Sequence, residues 1–304
     1  MAGQDIQSVA ISPAAEYYNL GDFGRPITTS NHYAQIWFNR GLIWAYSFNH
    51  EEATFCFEQV IAHNPNCAMG YWGAAYASGP DYNKVWQALD ADELKDSLAK
   101  CHAMATKAGE MAAGASPVEK ALVDAIQLRF PAAEMPSNDF APPIKAYAER
   151  MKAVWREFGA DDLDITALAA DALMNMAPWQ LFEPRSGRPN LNTPVLEVKE
   201  ILKHGAKLPS ADSHPGILHM FIHLMEMSTT PETAIKASNR LRHLVPNAGH
   251  LQHMPSHIDM LIGDYQKAIA ANMRATIADD KYFSRQRLDT VSSATSIAST
   301  TITH

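Results

Sequence analysis

The chain has little sulfur to build with: three cysteines in 304 residues, Cys56, Cys67 and Cys101, an odd number with no Cys-x-x-Cys spacing. That argues against a disulfide framework and a thiolate zinc site, so any metal would be held by nitrogen and oxygen. Basic charge is also short. Lysine plus arginine number 25 against 33 aspartates plus glutamates, a net charge of −8, the wrong sign for gripping a phosphate backbone, so no nucleic-acid partner is expected. No window of 18 apolar residues occurs, so no membrane partner is expected either. The opening MAGQDIQSVAISPAAEYYNLGD has neither a basic start nor an apolar stretch of signal length, and a cytoplasmic location is expected. Paired alternating runs of β-branched residues joined by hairpin turns are missing as well.

What is present reads at helical period, rich in Ala, Leu, Met and Glu with short breaks of Pro, Gly or Asn, and predicts an all-α fold. Ser116-x-x-Glu119 is a capping box that opens one helix. PAAEMPSND and EPRSGRPNLNTP are the clearest loops. An internal period runs through both ends of the chain. Trp37, Gly41, Ala53, Phe57 and Pro65 mark a unit starting at Ala34, and Tyr71 and Ala75 mark the next, starting at Ala68. Ala234 and Pro246 belong to a unit starting at Pro215, and Tyr265, Ala268 and Ala275 to one starting at Gly249. These offsets resemble the 34-residue tetratricopeptide repeat. The resemblance implies helix-turn-helix units stacked into a superhelical array with a concave groove. The expected organisation is an N-terminal extension over 1–30, a single helical domain over 31–284 and a Ser/Thr-rich tail over 285–304. Within the domain the repeats are clear at 34–83 and 215–282, with divergent helices between.

Thirteen histidines are present, and six fall in HPGILHMFIHLMEMS (214–228) and HLQHMPSHIDM (250–260). The arithmetic is specific: 219 + 34 = 253 and 223 + 34 = 257, so one His-x3-His pair recurs at the same place on consecutive units. Residues four apart share a helix face with Cβ atoms about 5–6 Å apart, and equivalent helices of stacked units lie about 8–10 Å apart. His219, His223, His253 and His257 should therefore converge. In the tetratricopeptide family, positions 2, 5 and 9 of the first helix face the groove, which implies His250 as a fifth member. His214, just before a Pro-Gly helix start, could fold in as a sixth. Imidazoles packed together without an ion leave donors and acceptors unpaired, so these six are the expected metal ligands.

FNHEEA, PNCAMGYWGAAYASGP, ALMNMAPWQLFEPRSGRP and the two histidine motifs together resemble a group of microbial tetratricopeptide-repeat proteins, over most of the chain up to about residue 284. That resemblance implies the fold and the site and leaves the reaction open. A C-terminal part of the longer relatives is expected to be absent here.

Imidazole-only sites suit copper, zinc, nickel or iron. Six histidines in two sets of three resemble the ligands of coupled binuclear copper proteins. On that resemblance His214, His219 and His223 hold one copper ion, and His250, His253 and His257 the second. The implied reaction is oxidation or oxygenation of a small organic molecule by dioxygen, a phenol or a natural-product intermediate, with substrate and dioxygen as partners. Glu226, three residues after His223, is a catalytic candidate as base, ligand or orienting group; as a ligand it would favour zinc or iron and a hydrolytic, isomerising or non-haem oxidative reaction. His50, at a turn between helices, is the second catalytic candidate. Trp72 and Tyr76 could form an aromatic wall for a flat substrate, and Arg185 with Arg188 could clamp a carboxylate. A peptide-binding scaffold without catalysis is the remaining reading.

Overall fold

The computed structural model describes residues 9–13, 16–135 and 139–301, with side chains described as far as Gln286. Thirteen α-helices run through them: α1 (His32–Tyr46), α2 (His50–His63), α3 (Ala68–Ser78), α4 (Ala91–Met111), α5 (Pro117–Arg129), α6 (Ala141–Phe158), α7 (Leu163–Met174), α8 (Val195–Gly205), α9 (Pro215–Met225), α10 (Ile235–Leu241), α11 (Gly249–His253), α12 (Pro255–Leu261) and α13 (Tyr265–Thr301). No strand occurs among the described residues, only one isolated bridge between Phe182 and Pro189. The fold is all-α and built of tetratricopeptide-like helical pairs, as the periodicity implied. The expected tail continues α13 as far as Thr301, but its side chains beyond Gln286, and residues 302–304, lie outside the described residues. Among the described residues no helix is long and apolar enough to cross a membrane, and Cys56, Cys67 and Cys101 are buried and unpaired.

Local rules set the helix starts. The Asn31 side chain accepts from the Tyr33 and Ala34 N–H groups to open α1, Asp162 accepts from Ile165 to open α7, and the Ser116–Glu119 capping box opens α5 with both of its hydrogen bonds made. The repeat signature is a packing rule. A Cβ at Gly41 would sit 2.9 Å from the ring of Phe57, itself fully buried, so the small residue of α1 makes room for the aromatic of α2. The second unit departs from the repeat, because residues 79–90 intervene between α3 and α4 where a tight turn was expected. In the last unit Pro255 lacks an N–H, which interrupts the hydrogen-bond ladder between α11 and α12, while Met254 stays helical at φ −49°, ψ −39°.

From α1 to α10 consecutive helices pack along the chain, and alternate helices meet where α1 packs on α3, α3 on α5 and α7 on α9, with α12 also against α9. The array curls until α1 meets α9. A Cβ at Gly216, on the first turn of α9, would come within 2.9 Å of the Tyr46 ring and 3.1 Å of Ala167, so only glycine lets α9 settle between α1 and α7. The groove expected from the repeat is therefore filled by the protein's own side chains over much of its length. The segment before α1 helps hold the two ends of the array. Tyr18 packs its ring 5.2 Å from Trp44 and 5.8 Å from Tyr282, and Asn19 exchanges hydrogen bonds with Asn247 at 2.7 and 3.1 Å.

Asp164 lies at the centre of this closure. Its carboxylate accepts from Tyr46 Oη (2.6 Å), Arg25 (3.0 Å) and His214 Nε2 (3.1 Å), joining the N-terminal segment, α1, α7 and the start of α9. Burial alone would raise this carboxyl, but the His214, Arg25 and Tyr46 contacts outweigh it and bring the pKa from its ordinary 3.8 down to about 2. A depressed carboxyl contributes stability that is complete above its unfolded pKa and lost as pH falls through the folded one. Here that window runs from about pH 4 down to about pH 2 and is worth about 2 kcal/mol. Asp164→Asn should lower unfolding free energy at pH 7 by about 2 kcal/mol, since it takes the carboxylate from His214 and Tyr46, while Arg25 keeps its pairing with Asp162 at 2.8 and 2.9 Å. Urea denaturation followed by circular dichroism should show this difference shrinking between pH 4 and pH 2.

Candidate metal centre

Helix α9 carries His219 and His223 one turn apart, α11 carries His250 and His253, and α12 carries His257. Closure of the array brings these five imidazoles into one cluster. Ring centroids are 4.6 Å apart for His219 and His223, 4.8 Å for His219 and His250, and 4.7 Å for His253 and His257; His223 lies 6.3 Å from His257. His219, His223 and His250 each offer a ring nitrogen within 4.8 Å of the others, a triad that could hold a metal ion. His219 and His223 are completely buried, while His250, His253 and His257 are half-buried.

The outward-facing nitrogens are almost all engaged. His219 donates from Nδ1 to the Tyr46 carbonyl at 2.7 Å, and His223 donates from Nδ1 to Glu226 Oε1 at 2.6 Å. His257 pairs through Nδ1 with the other carboxylate oxygen of Glu226. His253 donates from Nδ1 to Asn272 Oδ1 at 2.6 Å, and Asn272 is itself fixed by donating from Nδ2 to the Ala268 carbonyl at 3.0 Å. Protons held on Nδ1 of His253 and His257 leave bare lone pairs on Nε2, and these face each other at 2.9 Å; His219 Nε2 lies 3.0 Å from His250 Nε2. His223 Nε2 is buried with no partner. Two nitrogens bound tetrahedrally at about 2.0–2.1 Å lie about 3.3 Å apart, close to these separations. Orientation of the ring through Nδ1 by a carboxylate, carbonyl or amide is how imidazole ligands are fixed around a metal.

Electrostatics favour the neutral, ligating form. Burial first, and then the neighbouring imidazoles, push the pKa of His219 and of His250 well below the ordinary histidine value, so both are uncharged at neutral pH. Burial would raise the Glu226 carboxyl, but the hydrogen bonds from His223 and His257 win and hold it below its usual range, so it remains a carboxylate.

Aromatic rings pin the cluster from the sides. Phe48, at the turn between α1 and α2, adopts φ +55° and places its ring 4.6 Å from His219, 5.2 Å from His250 and stacked at 5.7 Å on His223. Trp179, at φ +60°, meets His223 edge-on at 5.7 Å, and Tyr82 lies 5.2 Å from the same ring. Bulky residues in the left-handed region are strained, and such strain collects at functional sites. Sequence reasoning missed Phe48, Tyr82, Trp179, Tyr46 and Asn272, because no motif signals a backbone carbonyl or a strained turn.

Several expected roles are corrected. His214 does not join the cluster: it caps α9, with Nδ1 accepting from the Ile217 N–H at 3.2 Å and Nε2 donating to Asp164, so neither nitrogen is free to ligate. The sets are therefore not 214/219/223 and 250/253/257; His250 crosses over to join His219 and His223. Glu226 has both oxygens committed to imidazoles, which makes it a positioning residue rather than a free base or a ligand. Trp72 and Tyr76 form no wall. They stack on each other at 5.4 Å in the core, and the Tyr76 hydroxyl donates to Asp171 at 2.9 Å. Arg185 and Arg188 are exposed on their turn and do not line the cleft at the cluster. His50 does line that cleft, of about 560 Å³, together with Phe48, Asp81, His250, Asp279 and Tyr282. Its Nδ1 lies 3.2 Å from the Gly79 carbonyl and its Nε2 3.7 Å from Asp81.

Glu226→Gln should weaken binding of a divalent transition metal about 10- to 100-fold, because the amide has one acceptor oxygen and no charge where the carboxylate serves both His223 and His257. His214→Gln should leave metal affinity unchanged while destabilising the fold. Competition titration against a coloured chelator measures both, and equal losses in the two variants would contradict the assignment.

A family model of the tetratricopeptide repeat matches residues 34–67, which span α1 and α2, so the chain contains this repeat. No curated protein matches the chain.

Proposed function

We propose that the protein is a metal-dependent enzyme in which His219, His223 and His250 hold a transition-metal ion in the core of a tetratricopeptide array. In this reading it belongs with the microbial group whose paired histidine motifs it resembles. The observation that supports the proposal is the convergence of the three rings, with His219 and His223 held through Nδ1 so that their Nε2 atoms are left to ligate. Three protein ligands leave a position open for substrate, the arrangement of catalytic rather than structural sites. His253 and His257 form a second, two-imidazole subsite beside the triad.

The donor set favours copper. With Glu226 spent on orienting His223 and His257, no carboxylate completes the two-histidine, one-carboxylate set typical of non-haem iron, and neutral imidazoles alone remain. Copper bound there would supply activation of dioxygen for oxidation or oxygenation of a small organic molecule. The protein's own residues do the rest. Phe48, Tyr82 and Trp179 keep water from the inner rings and fix their planes. The cleft admits substrate past His250, and His50, beside Asp81, is placed at its wall to take up or return a proton. Three imidazoles with an open position also suit zinc, which would make the reaction hydrolytic. A peptide scaffold fits less well, because the contact of α1 with α9 removes the long open groove such a ligand needs.

Protein reconstituted with copper should retain at least about one ion per chain, on the triad, and consume dioxygen with a catechol probe, and His219→Ala with His250→Ala should lose the triad's ion and the oxygen uptake. Elemental analysis and an oxygen electrode decide the matter. Zinc retention with ester hydrolysis and no oxygen uptake would replace copper with the zinc reading, and less than one equivalent of any transition metal would overturn the proposal.

A further inference from the structure

A second cavity lies away from the histidines, where the loop after α3 meets α5, α6 and the end of α7. It measures about 290 Å³ and its wall is mostly apolar, with Trp86, Phe140, Ile144 and Met176 among its lining residues. Two of its lining residues carry a buried polar atom with no partner. Arg129, at the end of α5, is only 5% exposed; one terminal nitrogen donates to the Pro80 carbonyl at 2.7 Å, and the other, Nη1, is buried with no partner. Tyr147 of α6, 2% exposed, likewise has a buried hydroxyl with no partner. Burial keeps this phenol protonated, so it is available as a donor.

A buried guanidinium is expected to be paired with an anion, since its desolvation is costly. Asp171 lies close enough to feel the Arg129 charge, but its carboxylate accepts from Tyr76 Oη and from Asn175 Nδ2, both at 2.9 Å, and makes no ion pair with Arg129 among the described residues. The guanidinium is instead held among aromatic faces, 5.0 Å from the Tyr147 ring and 5.4 Å from that of Tyr76, which fixes its plane in advance of any ligand. Arg129 and Tyr147, neighbours on the wall of an apolar pocket, thus each hold a donor with no partner in the protein. Its volume is near the lower end of ordinary small-molecule sites, about 300–1000 Å³, which suits one ring. Lys145, exposed at the rim, adds positive charge at the entrance.

We propose that this pocket binds a small organic carboxylate with a flat apolar body, the carboxylate accepting from Arg129 Nη1 and Tyr147 Oη and the body lying against Trp86, Phe140 and Ile144. The site is independent of the metal reading, because none of its lining residues belongs to the histidine cluster.

Benzoate serves as the probe and benzyl alcohol as its uncharged counterpart, with binding measured by isothermal titration calorimetry in the presence and absence of a chelator. Benzoate should bind at least about tenfold more tightly than benzyl alcohol, as expected for a charge-assisted hydrogen bond, and equally with and without chelator. Tyr147→Phe removes an unpartnered hydroxyl and so keeps the fold; it should weaken benzoate about three- to tenfold. Ile144→Trp, which fills the pocket, should abolish binding with the near-ultraviolet dichroism retained. Benzoate and benzyl alcohol binding alike, no benzoate binding at 10 mM or below as an order of magnitude, binding lost with chelator, or both variants binding as wild type would each overturn the proposal.

Discussion

Two neutral imidazoles can share a proton between facing nitrogens only if one of them has that proton to give. In His253 and His257 the Nδ1 protons are committed, to Asn272 and to Glu226, and the Nε2 lone pairs nevertheless face each other at 2.9 Å. A positive charge between them, a proton or a metal ion, is what removes the repulsion. His219, with Nδ1 held by the Tyr46 carbonyl, turns its Nε2 to His250 at 3.0 Å, and His223 Nε2 is buried without a partner. The cluster could hold a metal ion, and its outer hydrogen bonds fix the rings that would ligate it.

That arrangement is a product of closure rather than of any one repeat. Gly216 lets α9 approach Tyr46, Asp164 ties Tyr46, Arg25 and His214 together, and the contact of α1 with α9 sets Phe48 over His219, His223 and His250. A standard tetratricopeptide array exposes its inner helices to a ligand. Here the array curls until α1 meets α9, which buries His219 and His223 and leaves the half-buried His250 on the wall of the cleft. Glu226 ties two helices together, since one oxygen orients His223 of α9 and the other His257 of α12.

The sequence made the repeat and much of the cluster legible for a simple reason. A period of 34 residues converts helical spacing into spatial equivalence, so the pairs 219/223 and 253/257 could be superposed by arithmetic. Where that logic failed, other forces decided. His214 looked like a ligand by proximity in sequence, but at the start of α9 its nitrogens serve the backbone of Ile217 and the carboxylate of Asp164. Trp72 and Tyr76 hold groove positions by repeat number, and the curl of the array turns those positions into core. The crossing of His250 to the triad of α9 depends on how consecutive units pack, which no local pattern encodes. Phe48 and Trp179 were invisible for the same reason, their strained backbone being set by tertiary contacts.

The most direct test is a crystal structure of the protein grown with copper or zinc, with anomalous scattering recorded at the metal edge. A peak within about 2.0–2.1 Å of Nε2 of His219, His223 and His250, with His214 still bound to Asp164, is the predicted result. Crystals that show no anomalous peak in the cluster, or one coordinated by His214, would contradict it.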